Sequence, residues 1–347
     1  MPEHFTIVAT WGRAIATALE SYGYDSQTLF DELDLDHKLS YDPTARYPLD
    51  RISQLLQRSV QITGDDAFGL KVSRCLPSTY LPALNILVAA SDNMLEGFVA
   101  LCRFHQTIND GFALELHETP SSVYLEYRMV KPGGPLALAG SLPELAAEAI
   151  DAGFAGMVGN VRSSLDPDFT AKCVHFRRAK PENDVAFQEL FRAPIRYGQA
   201  FDSLEFDRQT LTAPLASANR ELAKLNEQVL QSLVESSDRK QFLTEVQLHI
   251  INQLSRGEPL QEDIANALNL SSRQLRRRLQ QLDCGYAQLL ERTRHDLAKK
   301  YLLQKSLSVS DITQLLGFSD QSNFSKAFKR WEGESPVNFR RRTLEQL

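Results

Sequence analysis

Apolar residues recur along the chain at two spacings, and the changes of spacing mark out its elements. Over residues 5–35 the period is helical: Ile7, Val8, Trp11, Ile15 and Leu19 share one face, and Gly23 follows as a stop. A charged, proline-punctuated loop is predicted over residues 34–48. Helices are predicted over 49–62, with Ile52, Leu55, Leu56 and Val60 inward, then over 68–72, 81–90 and 94–106. On the last of these Phe98, Leu101, Cys102 and His105 share the apolar face.

The period then becomes two. Phe112, Leu114 and Leu116 alternate with Ala113, Glu115 and His117. Val123, Leu125, Tyr127 and Met129 alternate with Tyr124, Glu126 and Arg128. The turn-forming run Glu118-Thr119-Pro120-Ser121-Ser122 joins them into an antiparallel hairpin. A loop at 131–134, an alanine-rich helix over 142–161, a strand at 171–177, a helix at 185–191 and short strands at 195–197 and 203–206 follow. The first 210 residues thus read as one mixed α+β domain, mostly helical with a small antiparallel sheet, inside a chain that is mainly α.

Residues 211–238 read as a helical linker. Leu215, Leu222 and Val229 lie seven apart, as do Ala218 and Leu225, which makes a short heptad seam. Pairing with a second copy and packing on the chain's own domain both fit that seam. Ser236-Ser237-Asp238 breaks the pattern and is expected to act as a hinge or cap.

From 239 to 347 the pattern is all-α and repeats itself. Ile312, Leu315 and Leu316 stripe a short helix; Gly317 ends it, Phe318 plugs the corner, and Ser319 or Asp320 caps the next helix. There Phe324, Phe328 and Trp331 face inward, while Ser322, Ser325, Lys326 and Lys329 face away. About 48 residues earlier, Asp263, Ile264, Leu268, Leu270 and Ser271 match Asp311, Ile312, Leu316, Phe318 and Ser319. Leu275, Leu279 and Leu282 likewise match Phe324, Phe328 and Trp331. Each copy is a helix-turn-helix. In the first, Arg273 and Arg277 point nearly opposite to Leu275 at about 100° per residue, flanked by Arg276, Gln280 and Gln281. Arginine bonds guanine O6 and N7 in a fork and glutamine pairs with adenine, so such a face suits the DNA major groove. Phosphate contact or plain solvation remains the alternative for each arginine.

Charge follows the same division. The chain carries 38 Lys+Arg and 44 Asp+Glu; residues 239–347 hold 18 and 12 of these, leaving 20 and 32 for the rest. A balance of +6 at one end and −12 elsewhere fits DNA binding by that end only. Cys75, Cys102, Cys173 and Cys284 show no metal-ligand spacing and are expected to be reduced and mostly structural, with redox sensing as the alternative for one of them. No Walker A, GxSxG, HExxH or GxGxxG motif is present, so no catalytic or metal site is expected and no cofactor is implied. No secretory signal or membrane span is read, and a cytoplasmic location is expected.

The stretch from about residue 241 to 342 resembles the DNA-binding domain of the AraC/XylS family of transcription regulators. Leu316-Gly317-Phe318, Phe324, Phe328-Lys329-Arg330 and Ser335-Pro336-Val337-Asn338-Phe339-Arg340 carry the likeness. The resemblance implies two helix-turn-helix units joined by one long helix, here about residues 285–304. It implies base contacts at Arg273, Gln274 and Arg277 in the first unit and at Gln321, Ser322 and Lys326 in the second. Thr313 and Lys326 depart from the family's usual alanine and arginine. The first 210 residues lack the strands of the cupin-like barrel of sugar-responsive members. They resemble the sensor domain of the ornithine-utilisation and VirS type, through Val174-His175-Phe176, Phe191, Pro194-Ile195, Leu204-Glu205-Phe206, Leu211 and Pro214-Leu215. The expectation is a sequence-specific regulator, an activator gated by a small-molecule effector, with control by abundance alone as the alternative. Expected partners are double-stranded DNA, RNA polymerase, the effector and a second copy of the chain. His105 is the candidate effector contact, against the alternative of a satisfied core histidine.

Overall fold

The computed structural model describes residues 5–76, 81–130, 145–164, 166–304 and 306–344. It divides into two compact units, Met1–Val234 and Glu235–Leu347.

The first unit begins with a strand, β1 (Thr6–Val8), then α1 (Thr10–Glu20) and α2 (Ser26–Glu32). Ile7 and Val8 are therefore strand residues, correcting the single helical face read for residues 5–35. They pair antiparallel with β2 (Arg46–Pro48), Ile7 opposite Tyr47. The loop read over 34–48 accordingly holds this strand and a 3-10 turn at His37–Tyr41. Next come α3 (Leu49–Thr63), α4 (Phe68–Cys75), α5 (Pro82–Ala90) and α6 (Met94–Phe104), the last passing into a 3-10 turn at His105–Thr107.

The hairpin forms as its alternation requires, from β3 (Phe112–Glu118) and β4 (Ser122–Met129), with Phe112 opposite Met129 and Glu118 opposite Val123. Thr119 donates its backbone N–H to the Ser122 carbonyl at 2.8 Å to close the turn. After α7 (Ala147–Ser164) the chain adds β5 (Cys173–His175), α8 (Asp184–Phe191), β6 (Ile195–Arg196), β7 (Ser203–Asp207) and α9 (Arg208–Leu211). The strand order is β3-β4-β7-β5-β6, antiparallel except for the parallel β5–β6 pair. The loop read at 131–134, and the start at 142 of the helix read over 142–161, lie outside the described residues.

Two hydrophobic clusters fill this unit. One gathers α1, α3 and β1 around Ile15, Phe30, Leu55 and Leu56. The other gathers the sheet, α6 and α7 around Phe98, Leu125, Phe154 and Phe206. Ile108, Tyr127 and Leu145 pack against both. α4 lies so close to α7 that a Cβ at Gly69 would stand 2.3 Å from the Glu148 carbonyl oxygen, so only glycine fits there.

α10 (Arg220–Leu254) runs unbroken for 35 residues. The break expected at Ser236-Ser237-Asp238 does not occur. The helix holds hydrophobic contacts before and after these residues, through Leu230 and Val234 and then through Val246, Ile250 and Leu254. Tertiary packing overrides their weak helix propensity. Of the seam read from the heptads, Leu215 is buried but precedes α10, and the members within the helix are not its buried face. Ala223, Leu230 and Val234 pack on the first unit's core, whereas Leu222, Leu225, Val229 and Leu233 are exposed.

The second unit adds α11 (Gln261–Ala267), α12 (Ser272–Gln281), α13 (Tyr286–Leu302), α14 (Val309–Leu315), α15 (Gln321–Glu332) and α16 (Pro336–Leu344). Each helix-turn-helix has its own core. Val246, Ile250 and Leu254 of α10 pack with Ile264, Leu275, Leu279, Leu289 and Leu290. Ala298 and Leu302 pack with Ile312, Leu316, Phe324, Phe328 and Phe339. α13 contributes to both, and Leu297 touches both.

Candidate nucleic-acid interface and ligand cavity

α12 and α15 owe their positions to caps and turns spelled out in the sequence. Ser271 caps α12 by accepting from Gln274 N at 3.2 Å, and Gln274 Oε1 accepts from Ser271 N at 2.8 Å. Gln274 thus spends its carbonyl on the capping box, which leaves only its amide N–H groups for a base. Asp320, not Ser319, caps α15: its Oδ1 accepts from Asn323 N at 2.8 Å, which holds its carboxyl below the usual range. The two turns each use one left-handed residue, Asn269 (φ 54°) and Gly317 (φ 67°), 48 positions apart.

The sequence read Gly317 as a helix stop; the structure adds a second reason for glycine. A Cβ there would stand 2.6 Å from the carbonyl oxygens of both Leu254 and Gly257. The turn of the second helix-turn-helix therefore rests directly on backbone that leaves α10. Arg294 of α13, 8% exposed, fixes the same turn. Its Nε donates to Leu316 O at 2.9 Å and its Nη2 to Gly317 O at 3.0 Å; its guanidinium lies 4.7 Å from the Phe318 ring centroid and pairs with Glu258 at 3.3 Å. Arg340 does the same for the entry to α14, donating to Leu302 O and Leu307 O at 2.8 Å each. Arg340 is therefore a clamp rather than a free or phosphate-seeking charge. Sequence reasoning passed over Arg294, whose only signal was a basic residue on the inward side of α13.

Arg273, Gln274, Arg276 and Arg277 on α12 are exposed, opposite buried Leu275 and Leu279. No ion pair or hydrogen bond within the described residues occupies the guanidinium groups of Arg273, Arg276 and Arg277. Arg278 instead lies 5.4 Å from the Phe242 ring centroid. On α15, Gln321, Ser322, Lys326 and Lys329 are exposed, opposite buried Phe324 and Phe328. Lys326 sits near enough to Asp320 to help lower its pKa.

The first unit contains a cavity of about 540 Å³ where its two hydrophobic clusters meet. Trp11, Leu49 and Ile52 line it from one cluster and Leu84 and Ile150 from the other. His105 also lines it. The ring is 2% exposed and its Nδ1 lies 3.0 Å from the Phe112 carbonyl oxygen. Burial pushes its pKa down to about 4. So His105 is satisfied at one nitrogen and also lines the cavity. Sequence missed Tyr127, also on this wall, whose ring centroid is 5.5 Å from that of His105.

The cysteines are free thiols, and burial raises all four, Cys102 to about 12. Thiols held this far from thiolate are poor nucleophiles, which disfavours the redox-sensing alternative. Among the described residues no helix is long and apolar enough to cross a membrane.

Residues 23–215 match a family model described as the arabinose-binding domain of AraC transcription regulator, N-term, and residues 264–342 match a helix-turn-helix domain model. The chain is similar to the ornithine utilization regulator of Pseudomonas aeruginosa, 26% identical over 98% of each chain. It is similar also to the HTH-type transcriptional regulator VirS of Mycobacterium tuberculosis, 25% identical over 95% of this chain and 94% of that one. Among solved structures, the transcriptional regulator CdpR from Pseudomonas aeruginosa aligns over 94% of this chain and 97% of that one, with 16% identity and a TM-score of 0.42.

Proposed function

The chain belongs to the AraC family of transcription regulators, and on that premise we propose that it reads a specific DNA sequence under the control of a small effector held in its first unit. Residues 1–210 would sense the effector, 211–238 would link, and 239–347 would bind DNA. The observation that carries the reading is the unoccupied arginine face of α12, presented opposite a packed leucine core. Arg273 and Arg277 read bases, Arg276 and Lys329 hold phosphates, and Gln321, Ser322 and Lys326 contribute from α15. Lysine is a compact point charge and reads bases less directionally than arginine, so α12 supplies most of the specificity.

The test is Arg273→Ala assayed on the cognate site and on scrambled duplex. A loss of ~1–3 kcal/mol on the cognate site alone, with relaxed preference at one base, supports base reading. An equal loss on both duplexes makes Arg273 a phosphate contact.

The exposed Leu222, Leu225, Val229 and Leu233 lie within an arc of about 80° on α10, taking about 100° per residue. That apolar stripe supports pairing with a second copy. Sedimentation of Leu225→Glu/Val229→Glu beside the parent chain tests it; unchanged mass removes the dimer from the reading. Activation through RNA polymerase is the direction proposed, and a reporter promoter carrying the site decides it, since falling expression makes the protein a repressor. The cavity supports effector control. The competing reading, control by abundance alone, gains if no small molecule alters DNA affinity.

A further inference from the structure

The polarity of the cavity in the first unit narrows what it holds; this inference rests on the effector reading above. A volume of about 540 Å³ falls within the ~300–1,000 Å³ of ordinary small-molecule sites. Its walls are largely aliphatic and aromatic. Among the described residues Asn109 on this wall accepts from Phe112 N with Oδ1 at 2.8 Å and keeps Nδ2 unbonded, and two further deep polar groups, on adjacent rings, have no protein partner for their inner atoms.

The first is Nε2 of His105. A carbonyl oxygen only accepts, so the bond between Nδ1 and Phe112 O puts the ring proton on Nδ1. Burial keeps the ring neutral at pH 7. Nε2 therefore offers a lone pair. The second is the hydroxyl of Tyr127, which has no hydrogen-bond partner among the described residues. It stands where a side chain at position 153 would be, 2.6 Å from the Cβ that Gly153 lacks. Burial raises its pKa above the ordinary phenol range, so it remains a donor.

The charged residues on the lining do not offer a free buried charge. Arg162 donates to the carbonyls of Phe169 at 2.9 Å, Leu190 at 2.5 Å and Phe191 at 3.0 Å. Arg74, Glu189 and Arg192 are exposed. An ionic head group placed beside neutral His105 and Tyr127 would lose its hydration without gaining a counter-charge from either ring, at a cost of several kcal/mol. A sugar would bury several hydroxyls against largely apolar walls with few deep partners available.

We propose that the cavity binds a neutral, mainly apolar molecule whose single hydroxyl donates to His105 Nε2 and accepts from Tyr127 Oη, the class of alkyl alcohols and alkylphenols. The walls supply affinity through apolar burial, and the His105–Tyr127 pair selects the head group. Trp11, on the cavity wall, is positioned to report occupancy.

A matched set of probes with one chain length tests this: 1-octanol, octanoate, octylammonium and, as a polar comparison, a pentose. Each is titrated into the full chain at pH 7.5 by calorimetry and by Trp11 fluorescence in a Trp331→Phe background. Octanol is expected to bind at least tenfold more tightly than either ion, and the pentose not at all. Tyr127→Phe should raise the octanol Kd about tenfold, the size of one lost hydrogen bond. Gly156→Leu should abolish binding by filling the space, since a Cβ there meets only Ser73 Oγ at 3.9 Å. Circular dichroism of both variants checks that they fold. Octanoate or octylammonium binding as tightly as octanol, equal binding to parent and variants, or no octanol binding overturns the proposal. DNA affinity measured alongside separates the two readings. Octanol binding without any effect on DNA leaves the proposal standing and counts against effector control, whereas octanoate binding that shifts DNA affinity does the reverse.

Discussion

Gly317→Ala separates two reasons for which a turn demands glycine. Gly317 and Gly333 both adopt left-handed backbone, at φ 67° and 78°. A Cβ on Gly333 meets nothing within 4 Å, so Gly333→Ala reports the backbone penalty alone. That penalty is ~1–2 kcal/mol, offset by ~0.4–1 kcal/mol from the stiffer unfolded chain, leaving a net loss of about 1 kcal/mol. A Cβ on Gly317 stands 2.6 Å from two main-chain oxygens, of Leu254 and Gly257, and neither can rotate away. The turn must lift, which weakens the bonds that Arg294 makes to Leu316 O and Gly317 O. Bonds from a charged donor contribute ~1.5–3 kcal/mol each, so losing most of one or both brings the total to roughly 3–5 kcal/mol. The chain has two tryptophans, and Trp331 lies in the second unit. Urea denaturation followed by fluorescence in a Trp11→Phe background therefore reads that unit. If Gly317→Ala costs within about 1 kcal/mol of Gly333→Ala, the close approach is not what requires glycine, and the account of the turn is wrong; the threshold is the ordinary spread of single-site effects.

Two further substitutions probe the first unit, read by Trp11 in a Trp331→Phe background. His105 has a folded pKa of about 4 against about 6.5 unfolded, so its neutral burial costs nothing above pH 6.5 and stability falls as pH drops from there towards 4. Between pH 7 and 5 this amounts to ~2 kcal/mol, and His105→Asn, which keeps a donor for the Phe112 carbonyl, should flatten the pH dependence by that amount; an unchanged slope refutes it. Gly159 lies within α7 with open space around its missing Cβ. Gly159→Ala should stabilise the unit by ~0.5–1 kcal/mol, and a loss of stability would mean that the space is not there.

Much of the second unit was legible because its cores follow the helical period. Ile264, Ile312, Leu275 and Phe324 are all fully buried, as their spacing required. Ile7 and Val8 misled because a three-residue strand is too short to show a period of two, and its partner begins 40 residues later at Arg46. The α10 seam was visible, but which face packs inward depends on the core it meets, and that core took Leu230 and Val234. The clamping roles of Arg294 and Arg340 were not legible because their carbonyl partners lie 22 to 38 residues away. His105 could be placed on an apolar face, whereas the cavity beside it arises only where two separately formed clusters meet.

Hydroxyl-radical footprinting of the bound site reads the arrangement of α12 and α15 on DNA. Two helices fixed by the shared helix α13 should protect two patches on one face of the duplex, about one turn or ~10 bp apart. Arg273→Ala should weaken one patch and Lys326→Ala the other. A single patch, or two on opposite faces of the duplex, would contradict the double-groove account.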